Sequence, residues 1–266
     1  MRECDALLAA GRKGRERLSA WVTEHYHEAA QSIIDTLAGA GHSLTGKRAA
    51  DVGCGDGLVD LGLVEKARPS ELVGYDIEET DEGKLLDMAG RAGVGRRLPR
   101  GLRFEGSTDT TIPADDASFD YVVSWSVFEH AADPITLALE MRRILRPAGV
   151  AFVQLYPFYM SQHGSHLWDW FPEGFEQFQR TDGEIEQVLR KDPGPLGPEW
   201  AEEQLHIYRT LNRITIDDLQ RALVRGGLRV TRLELDTNRF HVPLELAHLP
   251  LSDLAIGGVK LLAEPR

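Results

Sequence analysis

The chain has 266 residues, is 42% hydrophobic and carries a formal net charge of -12. That length and apolar content suit one α/β domain with a substantial core and exclude a disordered chain. The acidic balance disfavours nucleic acid as a partner, because phosphate backbones attract basic surfaces.

The two cysteines, Cys4 and Cys54, allow neither a disulfide framework nor a zinc-ligand spacing, and the expected location is the cytoplasm. No run of apolar residues is long enough to span a membrane, and the N-terminus lacks the apolar core of a signal peptide. Residues 5–40 read as helical through Leu7, Leu8, Leu18, Trp21, Val22, Ile33, Ile34 and Leu37. Gly39, Gly41 and Gly46 then break the pattern before a first strand, Ala49 to Val52, which leads into Gly53-Cys54-Gly55-Asp56-Gly57. A helix over Leu58 to Ala67, a strand over Leu72 to Asp76 and a helix over 81–92 follow. Strands are expected at Leu102 to Glu105, Tyr121 to Ser124 and Val150 to Leu155, with a helix over 134–145 before the last. This alternation implies right-handed βαβ units and a parallel sheet. A helix over 215–226, N-capped by Thr215, and strands near 228–235 and 256–263 suit an antiparallel ending at one sheet edge. The fold class expected is α/β: a Rossmann-like doubly wound sheet, mostly parallel with an antiparallel C-terminal strand. It forms a single domain over 1–266, with an N-terminal helical flap over 1–45 and an aromatic, helical lid over 157–212 after the fifth strand.

The glycine turn carries the chemistry. Gly53, Gly55 and Gly57 let the chain reverse tightly and let a ligand approach the backbone. A dinucleotide fingerprint starting at Gly53 would need glycine at 58, where Leu58 stands, so an NAD(P)-dependent oxidoreductase is the rival reading. Asp76 stands 23 residues after Gly53, at a strand end where a carboxylate can accept bonds from both ribose hydroxyls.

Four segments occur in order: residues 51–57, Gly74-Tyr75-Asp76-Ile77, Ser118 to Ser124, and Arg143 to Gly149. Together they resemble the successive motifs of class I S-adenosylmethionine (SAM)-dependent methyltransferases, particularly those acting on small molecules, over about residues 48–157. The resemblance implies SAM as cofactor. Asp51, Gly53, Cys54 and Gly55 would lie beside its methionine part, Asp76 would bind the ribose, and Ile77 would stack on adenine. Where the family often has Gly-Asp-Ala, this chain has Gly106-Ser107-Thr108 with Asp109 next, so the adenine partner stays open among Ser107, Thr108 and Asp109. Ser124 and Trp125 match the strand end that faces the methionine amino group.

Glu129-His130 resembles the family's Leu-Glu-His segment, and His130 is a candidate base or a brace for its loop. Eight aromatic side chains lie between Tyr156 and Phe178. They suit an acceptor lid, or alternatively a hydrophobic mini-core or a homodimer face. His163 and His166 are further candidate bases. With Asp169 they have a spacing that could hold a divalent ion, although Gly164 and Ser165 interrupt a regular helix, and no metal is assigned. Trp21, His25 and Tyr26 are placed across the donor, and His206 and Tyr208 over the site. The expected activity is methyl transfer by in-line displacement to a hydroxyl or amine of a small molecule, such as a sugar or natural-product intermediate. A noncatalytic SAM-binding or partner-binding protein is the alternative outside the enzymes.

Overall fold

A computed structural model describes residues 12–266; Cys4, Leu7 and Leu8 lie outside the described residues. Helix α1 (Arg12–Val22) passes through a π-helical turn, Thr23–Ala29, into α2 (Ala30–Ala38). Leu18, Val22, Tyr26, Ile33 and Leu37 recur at helical spacing and are all buried. This face lies so close to the helix over Leu58–Ala67 that a Cβ at Gly62 would stand 2.3 Å from the Tyr26 carbonyl oxygen.

Seven strands form one sheet: β1 (Arg48–Val52), β2 (Glu71–Asp76), β3 (Leu102–Gly106), β4 (Phe119–Trp125), β5 (Leu145–Leu155), β6 (Leu228–Thr237) and β7 (Ile256–Pro265), in the order 3-2-1-4-5-7-6. The first five are mutually parallel where they pair, and β7 runs antiparallel to both β5 and β6. The antiparallel ending is more than an appended hairpin. The chain first lays β6 at the outer edge and then inserts β7 between it and β5. Strand β5 begins at Leu145, earlier than the Pro147/Gly149 break suggests, because Leu145 pairs with Phe119 before the register shifts and Val150 pairs with Tyr121. Alternate residues feed two cores. Ala49 and Val123 pack beneath α1, α2, α3 (Leu58–Ala67) and α4 (Glu82–Arg91), whereas Ala50 and Val122 pack beneath α5 (Pro134–Ile144) and the helix over Ile216–Arg225.

The strand order reverses between β1 and β4, so a crevice opens at their carboxyl ends, where open α/β sheets bind ligands. Between β5 and the helix over 216–225 the chain inserts α6 (Glu176–Gln179), α7 (Asp182–Lys191) and α8 (Pro198–Thr210). These hold their own apolar cluster, centred on Leu167, Phe171, Ile185, Leu189 and Leu205. The capping box at Thr181 and Glu184 starts α7. A second box at Thr215 and Asp218 starts α9 (Ile216–Arg225) and returns the chain to the sheet. Among the described residues no helix is long and apolar enough to cross a membrane.

Candidate active site

The glycine turn is shaped by what surrounds it. Gly53 has φ +83°, and a Cβ there would stand 2.3 Å from a Val127 methyl, so any side chain would push the loop after β4 away. Gly55 also has a positive φ, but a Cβ there would meet nothing within 4 Å, because it faces open space. Asp76 fixes this turn. Its Oδ2 accepts from the Gly55 amide at 2.8 Å and its Oδ1 from the Glu78 amide at 2.9 Å.

Two cavities meet here. The smaller, about 340 Å³, is lined by Asp76, Ile77, Ser107, Thr108 and Asp109. Ile77 is 69% exposed and presents an apolar wall to it. The larger, about 720 Å³, is lined by Asp51, Cys54 and Trp125 together with His163, His166 and Trp168. Gly53, Gly55, Ser126 and His130 line both. The sequence-predicted donor residues are thus gathered around two adjoining cavities, with two qualifications. Ser124 is fully buried and lines neither cavity; Ser126, two residues on, does, its amide and hydroxyl both bonded to Oε1 of Gln154. Cys54 lines the cleft, but its thiol turns to the Thr80 hydroxyl at 3.4 Å, and burial pushes its pKa well up.

Asp51 is 1% exposed, and its Oδ1 has no hydrogen-bond partner. Burial, reinforced by the Asp76 charge, pushes its pKa up to about 7. An acid with one unpaired oxygen beside a glycine loop that opens into a cavity suits a cationic ligand such as SAM.

Among the histidines that line the cleft, burial pushes the His130 pKa down to about 4. Burial and the neighbouring His130 push that of His166 down to about 3, and burial also lowers His163. All three rings are therefore neutral at physiological pH. The rings of His130 and His166 meet edge to face with centroids 5.5 Å apart. Asp169, in contrast, does not join the histidines. It forms a bidentate ion pair with Arg17 of α1 and accepts from Trp200 Nε1 at 3.2 Å, so a His163–His166–Asp169 metal site does not form.

The flap residues divide. Trp21 and His25 stack at 4.0 Å and line the cleft, and Trp21 Nε1 donates to Asp56 Oδ2 at 2.7 Å. Tyr26 turns inward instead, its hydroxyl bonded to Glu65. Tyr208 likewise is buried and donates to Asp182 at 2.8 Å, and His206 is exposed outside the cleft; Gln204 and Ile207 of the same helix line it. Helical phase explains His206, which points away from the face that 204 and 207 share; Tyr208, four residues after Gln204, is instead drawn to Asp182. Among the eight aromatics of the insertion, Tyr156 and Trp168 line the cleft. Tyr159 and Phe171 build the insertion's cluster, and Phe158 joins the main core.

Sequence reasoning missed Asn212, whose Nδ2 donates to the Phe128 and Ala131 carbonyls at 2.6 and 2.8 Å, while its amide donates to the Glu129 carbonyl at 3.0 Å. It clamps the loop that carries Glu129 and His130, and no local pattern marks it.

Comparison with known proteins agrees with this geometry. Residues 50–153 match the family model described as a methyltransferase domain. The chain is 31% identical over 122 residues to a 27-O-demethylrifamycin SV methyltransferase of Amycolatopsis mediterranei, covering 46% of this chain and 43% of that protein. It is 25% identical over 154 residues to a ubiquinone biosynthesis O-methyltransferase of Roseobacter denitrificans, covering 55% and 59%. The match to an uncharacterized 37.1 kDa protein of a Streptomyces fradiae transposon is 34% identical, over 46% of this chain and 34% of that one. The chain thus spans between a third and three fifths of these relatives' lengths. Among solved structures, geranyl diphosphate C-methyltransferase of Streptomyces coelicolor, in complex with Mg2+, geranyl diphosphate and S-adenosylhomocysteine, superposes with TM-score 0.57 at 13% identity, covering 97% of this chain and 86% of that one. A SAM-dependent methyltransferase of Mesorhizobium loti gives 0.52 at 18% identity, covering 87% and 96%. At such identities the likeness shows the fold.

Proposed function

From its place among the class I SAM-dependent methyltransferases, to which residues 50–153 belong, we propose that the chain methylates a hydroxyl group of a small molecule. The observation that carries this is the pair of joined cavities: the glycine turn lines both, with Asp76 and Ile77 in one, His163 and His166 in the other, and His130 shared between them. When bound, SAM supplies a methyl carbon on a sulfonium for direct in-line displacement.

The chain's own residues divide the work. Asp76 and Ile77 hold the nucleoside end, with Ser107, Thr108 or Asp109 at the base edge. Asp51 and the backbone of Gly53, Cys54 and Gly55 hold the amino-acid end, and Trp125 and Ser126 close it. Residues 157–212 act as an acceptor lid and Trp21 and His25 as a flap. Trp168 and Tyr156 offer flat apolar walls that suit a cyclic acceptor. A hydroxyl must lose its proton as it attacks, and His163 is placed to take it. It is half-buried, its Nδ1 has no partner, and its pKa is lowered by burial alone. His130 and His166, with conjugate acids near 4 and 3, hold a proton too weakly to compete. Two relatives named for O-methylation support hydroxyl over amine.

Asp76→Ala tests the donor site. It removes a charged acceptor whose bonds contribute roughly 1.5–3 kcal/mol each, so SAM affinity should fall roughly tenfold to a hundredfold. Calorimetry reads this, and circular dichroism should show an unchanged fold. Wild-type affinity in the variant would refute the placement of the ribose.

A further inference from the structure

Glu129 takes no part in the scheme above, and its surroundings ask for a ligand. One carboxylate oxygen of Glu129, one ring nitrogen of His130 and one of His166 all lie within 4.8 Å of one another. Glu129 is 2% exposed, and neither of its oxygens has a hydrogen-bond partner; Nε2 of His166 is buried and unpartnered too. A buried polar group left unpaired costs roughly 1–3 kcal/mol, so a buried Glu129 oxygen and a buried His166 nitrogen that gather with a nitrogen of the exposed His130 are expensive without an occupant.

The scaffold around them is firm. Asn212 clamps the carbonyls on both sides of Glu129 and that of Glu129 itself. His166 sits at φ +65°, an uncommon conformation for a residue other than glycine, and its ring stacks on Trp168 at 5.8 Å. Its neighbour Ser165 is locked by bonds to Glu176 and to the Leu167 amide.

We propose that Glu129, His130 and His166 bind a divalent transition-metal ion, with Zn2+ the best match, at the acceptor end of the cleft. Two imidazoles and one carboxylate are the donor set of catalytic zinc sites, whereas Mg2+ and Ca2+ select oxygen ligands. Three protein ligands leave a position open, and because His130 and His166 both line the cleft, that position faces the acceptor. The substrate class follows: a compound whose reacting hydroxyl, alone or with an adjacent oxygen, ligates a metal. This inference rests on the methyltransferase reading of the cleft and deepens it.

The test uses the untagged full chain, stripped with EDTA and titrated with Co2+, whose visible absorption reports its ligands. One ion per chain is expected, displaced by Zn2+. Glu129→Gln and His166→Ala should each weaken Zn2+ binding more than about tenfold. Both should still show the wild-type rise in melting temperature with SAM, which also reports that they fold. No ion bound by the wild type, or equal affinity in both variants, overturns the metal site. A wild type whose melting temperature SAM does not raise, with or without the ion, overturns the methyltransferase reading instead.

Discussion

His163→Ala is expected to lower kcat by roughly a hundredfold to ten-thousandfold, the usual contribution of a positioned proton acceptor. SAM affinity should change little, because His163 does not line the cavity that holds Asp76 and Ile77. The pH profile supplies a second readout. Burial lowers the His163 pKa from its ordinary 6.5, so the proton-accepting form persists below the usual histidine range. Activity in the wild type should therefore hold through mildly acidic pH and fall only as pH drops through that lowered pKa. In the variant this acid limb should vanish along with most of the rate. Steady-state kinetics across pH, paired with calorimetry for SAM, check both; full turnover in His163→Ala would remove the base from the scheme. Zn2+ binding should survive the substitution, which separates a proton acceptor from a metal ligand.

The glycine turn and its acid were legible because their pattern is local. A strand, a glycine turn and an acid at the next strand end lie within 26 residues (51 to 76), and backbone periodicity alone brings Asp51, Gly55 and Asp76 to one sheet edge. Even there the phase could slip by a step: Ser126 rather than Ser124 reaches the cavity, because the chain leaves β4 after Trp125 and Ser126 takes a positive φ. The aromatic insertion was legible only as a region. Its aromatics divide among cleft, cluster and core according to how α6, α7 and α8 pack on one another, which no repeating pattern encodes.

Distant meetings are harder still. Arg17 finds Asp169 across 152 residues, and Glu129 finds His166 across 37. The first pair has a consequence for how the site assembles. Arg17 ties α1 to the insertion, and Trp21, one turn later, ties it to Asp56 of the glycine turn. Asp56 in turn accepts from the Leu58 amide and so starts α3. The 157–212 insertion and the glycine turn are thereby joined through α1, a link that neither hydrophobic period nor motif spacing contains.

Burial of acids sets the pH dependence of stability. Glu129 is pushed from an ordinary 4.5 up to about 8 by burial, Asp51 up to about 7 by burial and Asp76, and Asp60 well up by burial and Asp51. A raised acid pKa means that the folded chain keeps a proton that the unfolded chain has lost. Each such group then removes stability as pH rises, from its unfolded pKa up to its folded one, at about 1.4 kcal/mol per unit. For Glu129 alone the loss between pH 5 and pH 7 is roughly 3 kcal/mol, or about 5–10 °C in melting temperature for a chain of this size. Acids held low by arginines work in the opposite direction: Glu71 by Arg48 and Arg103, and Glu140 by Arg143, lose their contribution only as pH falls below the carboxylate range. Over pH 5 to 8 the histidines oppose the raised acids at first: His130 and His166, lowered from 6.5 to about 4 and 3, add stability as pH rises toward 6.5. With metal and SAM absent, the net fall in melting temperature is therefore expected above about pH 6.5, where the raised acids act alone. Glu129→Gln keeps the shape and removes the titration, so its advantage over the wild type should widen steadily across that interval. Melting curves in EDTA at each pH measure it. An advantage that stayed constant from pH 5 to 8 would mean that Glu129 ionises normally and finds a partner, and added Zn2+ should narrow the gap by stabilising the wild type alone.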